Sequence, residues 1–253
     1  MTPPRATEGG GRGLDAVSVD PLIALWLERI GPGDLGPYRL EVEGDVLHLC
    51  SPQPDEGRLS VDLMRGSSGY RGARARNERL VRACGVSENT MVVDATGGLG
   101  MDAWLLARAG ASVRVLEQHP VVAILLADGL RRARTVDSEA VDRITLECVD
   151  SRSELLNLKQ ADAVVYLDPM YPPRRKAALG DRRLRLLAAL FAATARTGDD
   201  LAGLLAAALA TPATRIVLKR PQRVALPEDI PKPTYCLAGR STRFDVWSRP
   251  AHQ

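Results

Sequence analysis

Between Thr90 and Leu218, short apolar runs alternate with longer Leu/Ala-rich stretches, and this rhythm restricts the fold more than any other feature of the 253-residue chain. Runs of about five apolar residues suit a buried strand, whereas apolar positions repeating at intervals of three and four fill one face of a helix. The pattern predicts strands at 91–95, 112–116, 143–148, 163–167 and 214–219. It predicts helices at 100–109, 120–134, 182–195 and 199–210. Apolar strands joined by helical crossovers form a parallel sheet with both faces covered, so the expected class is α/β. Two further short strands at 234–237 and 243–247, with Gly239 between them, predict an antiparallel ending.

The region before this domain reads differently. Residues 1–13 are rich in Gly, Pro and Thr and have no apolar segment, which predicts a disordered lead rather than an export signal. Residues 14–84 read as a small α+β extension. Within it a helix at 22–30 meets Gly31-Pro32-Gly33, strands at 38–43 and 45–50 flank Gly44, a third strand falls at 58–64, and a helix at 77–84 stops at Gly85. Residues 85–253 form the main domain. No run approaches the roughly 18 apolar residues of a membrane span, so no membrane partner is expected and the cytoplasm is the default compartment. Cys50, Cys84, Cys148 and Cys236 form no C-x-x-C pair, which argues against a metal site or disulfide framework and predicts buried, reduced thiols. His48, His119 and His252 are isolated and carry no expected metal or catalytic role.

The sharpest local motif is Val92-Val93-Asp94-Ala95-Thr96-Gly97-Gly98-Leu99-Gly100, in which a buried strand enters a glycine turn and then a helix. Such a turn brings backbone N–H groups against a ligand, and side chains at Gly97, Gly98 or Gly100 would obstruct that approach. Gly98-x-Gly100-x-x-Ala103 also satisfies the dinucleotide fingerprint, which keeps a nicotinamide dehydrogenase open. Asp94 at the strand end suits a cationic amino-acid ligand and would repel a pyrophosphate. Glu117 closes the next strand, about 20 residues on, where an acid that holds ribose hydroxyls belongs. Both point to S-adenosylmethionine (SAM), although a capping Asp94 and an exposed Glu117 are the alternatives.

A second motif, Val164-Val165-Tyr166-Leu167-Asp168-Pro169-Met170-Tyr171-Pro172, has the D-P-x-[YF] form of enzymes that methylate amino groups on bases. An exocyclic amine shares its lone pair with the base ring and attacks poorly until an acceptor draws on its N–H. Asp168 and the carbonyl beside it can do that, Pro169 stiffens the loop, and Tyr171 can stack on the base for about 1–3 kcal/mol. A plain strand-ending turn is the alternative. Asp150-Ser151 falls where adenine contacts belong, or caps the following helix. Arginines cluster despite a net charge of only +3. Arg71, Arg74, Arg76, Arg79 and Arg82 form one group, Arg174, Arg175 and Lys176 lead a second, and Lys219 and Arg220 lead a third. Together they predict a phosphate-binding rim, and singly they read as solvated helix faces.

Several blocks in order resemble the ribosomal RNA small subunit methyltransferase J family: Asp94 to Ala103, Leu116 to Leu130, the V-Y-L-D-P-M-Y-P motif, Val217 to Pro221, and Arg243 to Val246. The resemblance covers most of the chain from about Val61. It implies a Rossmann-like SAM-dependent methyltransferase fold and transfer of a methyl group to N2 of a guanosine in 16S ribosomal RNA, naked or in the small subunit. It also implies cofactor contacts at Met101, Asp102, Glu117, Gln118, Asp150, Ser151 and Asp168. The chain departs from the family at Met101 and Gln118, where a basic residue is usual, and at Asp150-Ser151, where two serines are usual. Amino methylation of another RNA or DNA base, or a non-catalytic RNA-binding role on the same fold, remain the other readings.

Overall fold

Prolines and glycines that read as a break instead start a turn of helix. Pro32 has no N–H to leave unpaired at a first helical position, and Asp34 Oδ2 accepts the Gly31 N–H at 2.9 Å. The structure is a computed structural model that describes residues 21–53, 56–64, 78–171, 182–194 and 200–250. The expected lead at 1–13 lies outside them. The described chain opens with α1 (Pro21–Leu27) and α2 (Pro32–Leu35). Strands β1 (Arg39–Glu43), β2 (Val46–Cys50) and β3 (Arg58–Leu59) then pair antiparallel. The third strand was expected to run to residue 64. It stops early because Val61 leaves the sheet to seat on a later helix, where a Cβ on Gly129 would lie 2.4 Å from Val61 Cγ1.

Helix α3 (Arg79–Cys84) ends at Gly85 in the left-handed region and delivers the chain to β4 (Met91–Asp94). There follow α4 (Met101–Arg108), β5 (Ser112–Glu117), α5 (Pro120–Ala133), α6 (Ser138–Asp142) and β6 (Ile144–Cys148). The chain continues through α7 (Ser151–Leu156), β7 (Val164–Leu167), α8 (Arg182–Ala193) and α9 (Leu201–Ala210). It ends with β8 (Arg215–Pro221), β9 (Tyr235–Ala238) and β10 (Thr242–Ser248). Helix α6 was not foreseen. At five residues it shows no full period, and only the Asp137 carboxylate, accepting from the Ala140 N–H at 3.1 Å, marks its start.

The large sheet has the order β6-β5-β4-β7-β8-β10-β9. Its first five strands are parallel, and β10 runs antiparallel to both β8 and β9, as the tail pattern predicted. Successive side chains on a strand point to opposite faces, and the two apolar layers follow that alternation. Val92, Val164, Tyr166 and Val217 join the layer that contains α3, α4, α5 and the N-terminal sheet. Val93, Val165, Leu167 and Leu218 join the layer beneath α7 and α9. Asp128 on α5, 2% exposed, ties the N-terminal sheet to this frame: it accepts the Leu47 N–H at 3.2 Å and pairs with Arg131 and Arg132. The cysteines divide. Cys50 and Cys84 are buried as expected, whereas Cys236 is exposed on β9, at the outer edge of the sheet. Among the described residues no helix is long and apolar enough to cross a membrane.

Candidate active site

The sheet order reverses direction at β4, with β5 on one side and β7 on the other, and a crevice opens at the carboxyl ends of strands at such a point. The glycine turn leaves β4 there. Its shape is enforced by close packing: a Cβ on Gly97 would stand 2.6 Å from Val115 Cγ1, and Gly100 has φ +73 with its Cβ position 2.3 Å from Leu126 Cδ1. Asp94 is 2% exposed and accepts the Thr96 N–H at 3.1 Å, so it braces the turn from beneath. Burial pushes its carboxyl up to about 7. Ser151 braces the same turn from the side, its hydroxyl donating to the Ala95 carbonyl at 2.6 Å. Glu117 sits at the end of β5, 6% exposed, and accepts the Gly98 N–H on Oε2 and the His119 N–H on Oε1, each at 2.7 Å.

The second motif arrives from β7. The Asp168 N–H donates to Thr96 Oγ1 at 2.7 Å, which locks the start of the Asp168-Pro169 loop to the glycine turn. Thr96 was not singled out from sequence, where it is one small residue of the turn. Lys219, reaching in from β8, places its ammonium 2.5 Å from Asp102 Oδ2 and 2.6 Å from Asp168 Oδ2. The Tyr166 hydroxyl donates to the same Asp102 oxygen at 2.7 Å, and the Tyr171 hydroxyl donates to the Lys219 carbonyl at 3.2 Å. Burial pushes the Asp168 carboxyl up to about 6, against the opposing pull of Lys219. Burial also disfavours the Lys219 ammonium, but Asp102 and Asp168 outweigh it and hold the lysine charged above its ordinary range. Asp168 nevertheless keeps a third of its side-chain surface open.

Other expected residues fall in different roles. Asp150 caps α7, accepting the Arg152 N–H at 2.9 Å with half its side chain exposed. Met101 opens α4 after the glycine turn, Gln118 directly follows β5, and both are half-buried. Pro169 is buried behind Asp168. Arg220, expected on a phosphate-binding rim, is 6% exposed and pairs with the fully buried Asp245 at 2.5 Å. Its place on β8 explains this: neighbouring residues of a strand face opposite ways, so Lys219 and Arg220 cannot share a face. Arg71, Arg74, Arg76, Arg174, Arg175 and Lys176 lie outside the described residues. A cleft of about 220 Å³ adjoins Asp102 and Lys219, walled by Leu80, Leu105 and Phe244, with Arg79 and Arg240 at its rim. Those two arginines make no ion pair among the described residues, which also contain no group of three His, Cys, Asp or Glu able to hold a metal.

The donor set suits a cationic ligand. Three carboxylates, Asp94, Asp102 and Asp168, gather near one ammonium, and Glu117 stands beside the turn with acceptor oxygens; a pyrophosphate would meet repulsion here. Comparisons with known proteins agree. The SAM-dependent methyltransferase family model matches residues 32–249. The ribosomal RNA small subunit methyltransferase J of Thioalkalivibrio sulfidiphilus is 43% identical over 222 residues, covering 83% of this chain and 84% of that protein. The chain belongs to this family. A relative of the same name from Coxiella burnetii is 39% identical over 195 residues, covering 76% of this chain and 75% of that protein. Among solved structures, a SAM-dependent methyltransferase from Neisseria gonorrhoeae superposes with a TM-score of 0.68 at 26% identity, covering 94% of this chain and 96% of that one. Membership in the J family makes this chain a SAM-dependent methyltransferase and closes the dehydrogenase reading that the glycine fingerprint had left open. The Rossmann-like expectation is met by the same findings and by the sheet order.

Proposed function

We propose that this chain transfers the methyl group of SAM to the exocyclic N2 of a guanosine in 16S ribosomal RNA, in the cytoplasm, on naked RNA or on the small subunit. The observation that carries the reading is Asp168: a carboxylate at a parallel strand end, locked to the glycine turn through Thr96 and still a third open to an incoming group. Its relatives' names supply the substrate class. We assign the cofactor to Gly97, Gly98, Gly100, Met101, Asp102, Glu117 and Gln118, with Ser151 and Asp94 acting through the turn they brace. Asp150, engaged as a cap and half exposed, contributes at the outer margin. The bound cofactor supplies a methyl group activated by the positive charge on sulfur.

The chain's own residues then have to orient the amine and receive its proton. Lys219 holds Asp168 Oδ2, so we assign Oδ1 to the base amino group, whose N–H it accepts. That contact localises the nitrogen lone pair for attack, and the carboxylate takes the proton that the nitrogen must shed as its new N–C bond forms. Tyr171 offers its ring to the base while its hydroxyl is anchored on the Lys219 carbonyl. The target base has to leave its stack to reach this depth. Arg79 and Arg240, at the rim of the adjoining cleft, are placed to hold phosphates of the flanking strand, a role the sequence suggested for Arg79 and Arg220 but not for Arg240.

The deciding experiment is transfer of a labelled methyl group to unmodified small-subunit RNA, naked and assembled, with nucleoside analysis of the product. N2-methylguanosine is the expected product, and Asp168→Ala is expected to abolish its formation while SAM still binds. A methylated adenosine or cytidine would move the target base. Full activity in Asp168→Ala would remove the mechanism.

A further inference from the structure

We propose that Lys219 is a positioning residue for methyl transfer: its ammonium, clamped between Asp102 and Asp168, keeps Asp168 anionic and fixed in direction, and does not grip phosphate. The inference rests on the reading of Asp168 as the acceptor for the base amine. Lys219 is 24% exposed and has both acids within 2.6 Å, so little of its charge is available outward.

Asp168 needs such a partner. The groups that face it are Asp94 from β4, Asp102 from α4, Tyr166 from β7, Tyr171 on its own loop, and Lys219 from β8. Among the described residues Lys219 is the one cation of this group, set against two further carboxylates and two phenols. Burial and Asp102 both favour a protonated Asp168, and a protonated carboxyl offers its proton instead of accepting one from the amine. Geometry makes the same point. Asp102 Oδ2 is fixed by the Tyr166 hydroxyl at 2.7 Å and by Lys219 at 2.5 Å, so the lysine is tethered to a rigid anchor and in turn sets the angle of Asp168. The same residue's carbonyl receives the Tyr171 hydroxyl, so one position on β8 aligns both the acceptor and the stacking ring.

The test compares Lys219→Gln and Lys219→Met, which remove the charge, with Lys219→Arg, which retains it. Carbon-13 spectra of cofactor-free protein labelled at aspartate carboxyl carbons report the titration of Asp168, identified by the resonance lost in Asp168→Asn. The expected result is a midpoint raised by about one pH unit or more in Lys219→Gln and Lys219→Met, and one close to wild type in Lys219→Arg. The acid limb of the methyl-transfer rate should move upward in the same two variants, so that alkaline buffer recovers part of their lost activity. Should one neutral variant fail to fold, the other together with Lys219→Arg carries the comparison. An unshifted midpoint, or a loss of rate that is uniform across pH and accompanied by a shallower salt dependence of RNA binding, would overturn the inference and return Lys219 to phosphate. Failure of the underlying reading shows separately, as an active Asp168→Ala enzyme.

Discussion

The backbone N–H of Gly98 donates to Glu117 Oε2 at 2.7 Å, so the glycine turn after β4 and the acid that ends β5 hold one another in place before any ligand arrives. Nineteen positions separate them, and the parallel pairing of β4 with β5 is what closes the distance. Glu117→Ala removes this strut and the His119 contact together. The expected loss is about 1.5–3 kcal/mol of stability, the usual worth of hydrogen bonds to a charged group, and at least about a tenfold loss of SAM affinity. Urea unfolding and titration calorimetry check the two parts. Binding as tight as wild type would remove Glu117 from the cofactor contacts.

Gly100→Ala tests the turn from the other side. A methyl group there needs a left-handed backbone at φ +73 and would lie 2.3 Å from Leu126 Cδ1. The backbone term of about 1–2 kcal/mol and the overpacking term of about 1–3 kcal/mol add at one site. A destabilisation of about 2–5 kcal/mol is expected in urea. A change below about 0.5 kcal/mol would mean that α4 shifts freely against α5.

Asp94 makes stability depend on pH. Burial raises its carboxyl from 3.8 to about 7, so the native state binds the proton more tightly than the unfolded chain does. For a raised acid the contribution is complete below about pH 4 and is lost as pH climbs through about 7. Cofactor-free wild type is therefore expected to lose stability relative to Asp94→Asn between pH 5 and 8. The effect is on the order of a few kcal/mol, at about 1.4 kcal/mol per pKa unit. Urea midpoints for both proteins at both pH values measure it. A difference that stays constant across pH would show that Asp94 ionises without unusual cost.

The basic residues separate into two kinds. Arg79→Glu with Arg240→Glu is expected to leave the fold and SAM binding unchanged while weakening RNA binding, with a salt slope shallower by about one or two charges. Arg220→Ala is expected to do the reverse. It leaves the fully buried Asp245 carboxylate with Arg243 as its remaining cation and costs about 1–3 kcal/mol of stability. Filter binding across salt, beside thermal melts, distinguishes the two, and an unchanged slope in the double reversal would make Arg79 and Arg240 simple solvated charges.

Periodicity alone determined the alternation of strands and helices, the parallel class, the antiparallel tail and the position of the glycine turn, because period and turn chemistry are local properties of the chain. Asp168 and Glu117 were legible for the same reason: each ends an apolar run in a fixed order after the turn. The partners of those acids were not. That Thr96 receives the Asp168 N–H, that Tyr166 fixes Asp102, and that Lys219 bridges two carboxylates all depend on which strands become neighbours, and β4, β7 and β8 come together only in the folded sheet. Lys219 and Arg220 make the division plain. Adjacent in sequence and alike in charge, they read as one phosphate-binding pair, yet the strand turns one toward Asp168 and the other toward Asp245, because neighbouring side chains of a strand point to opposite faces.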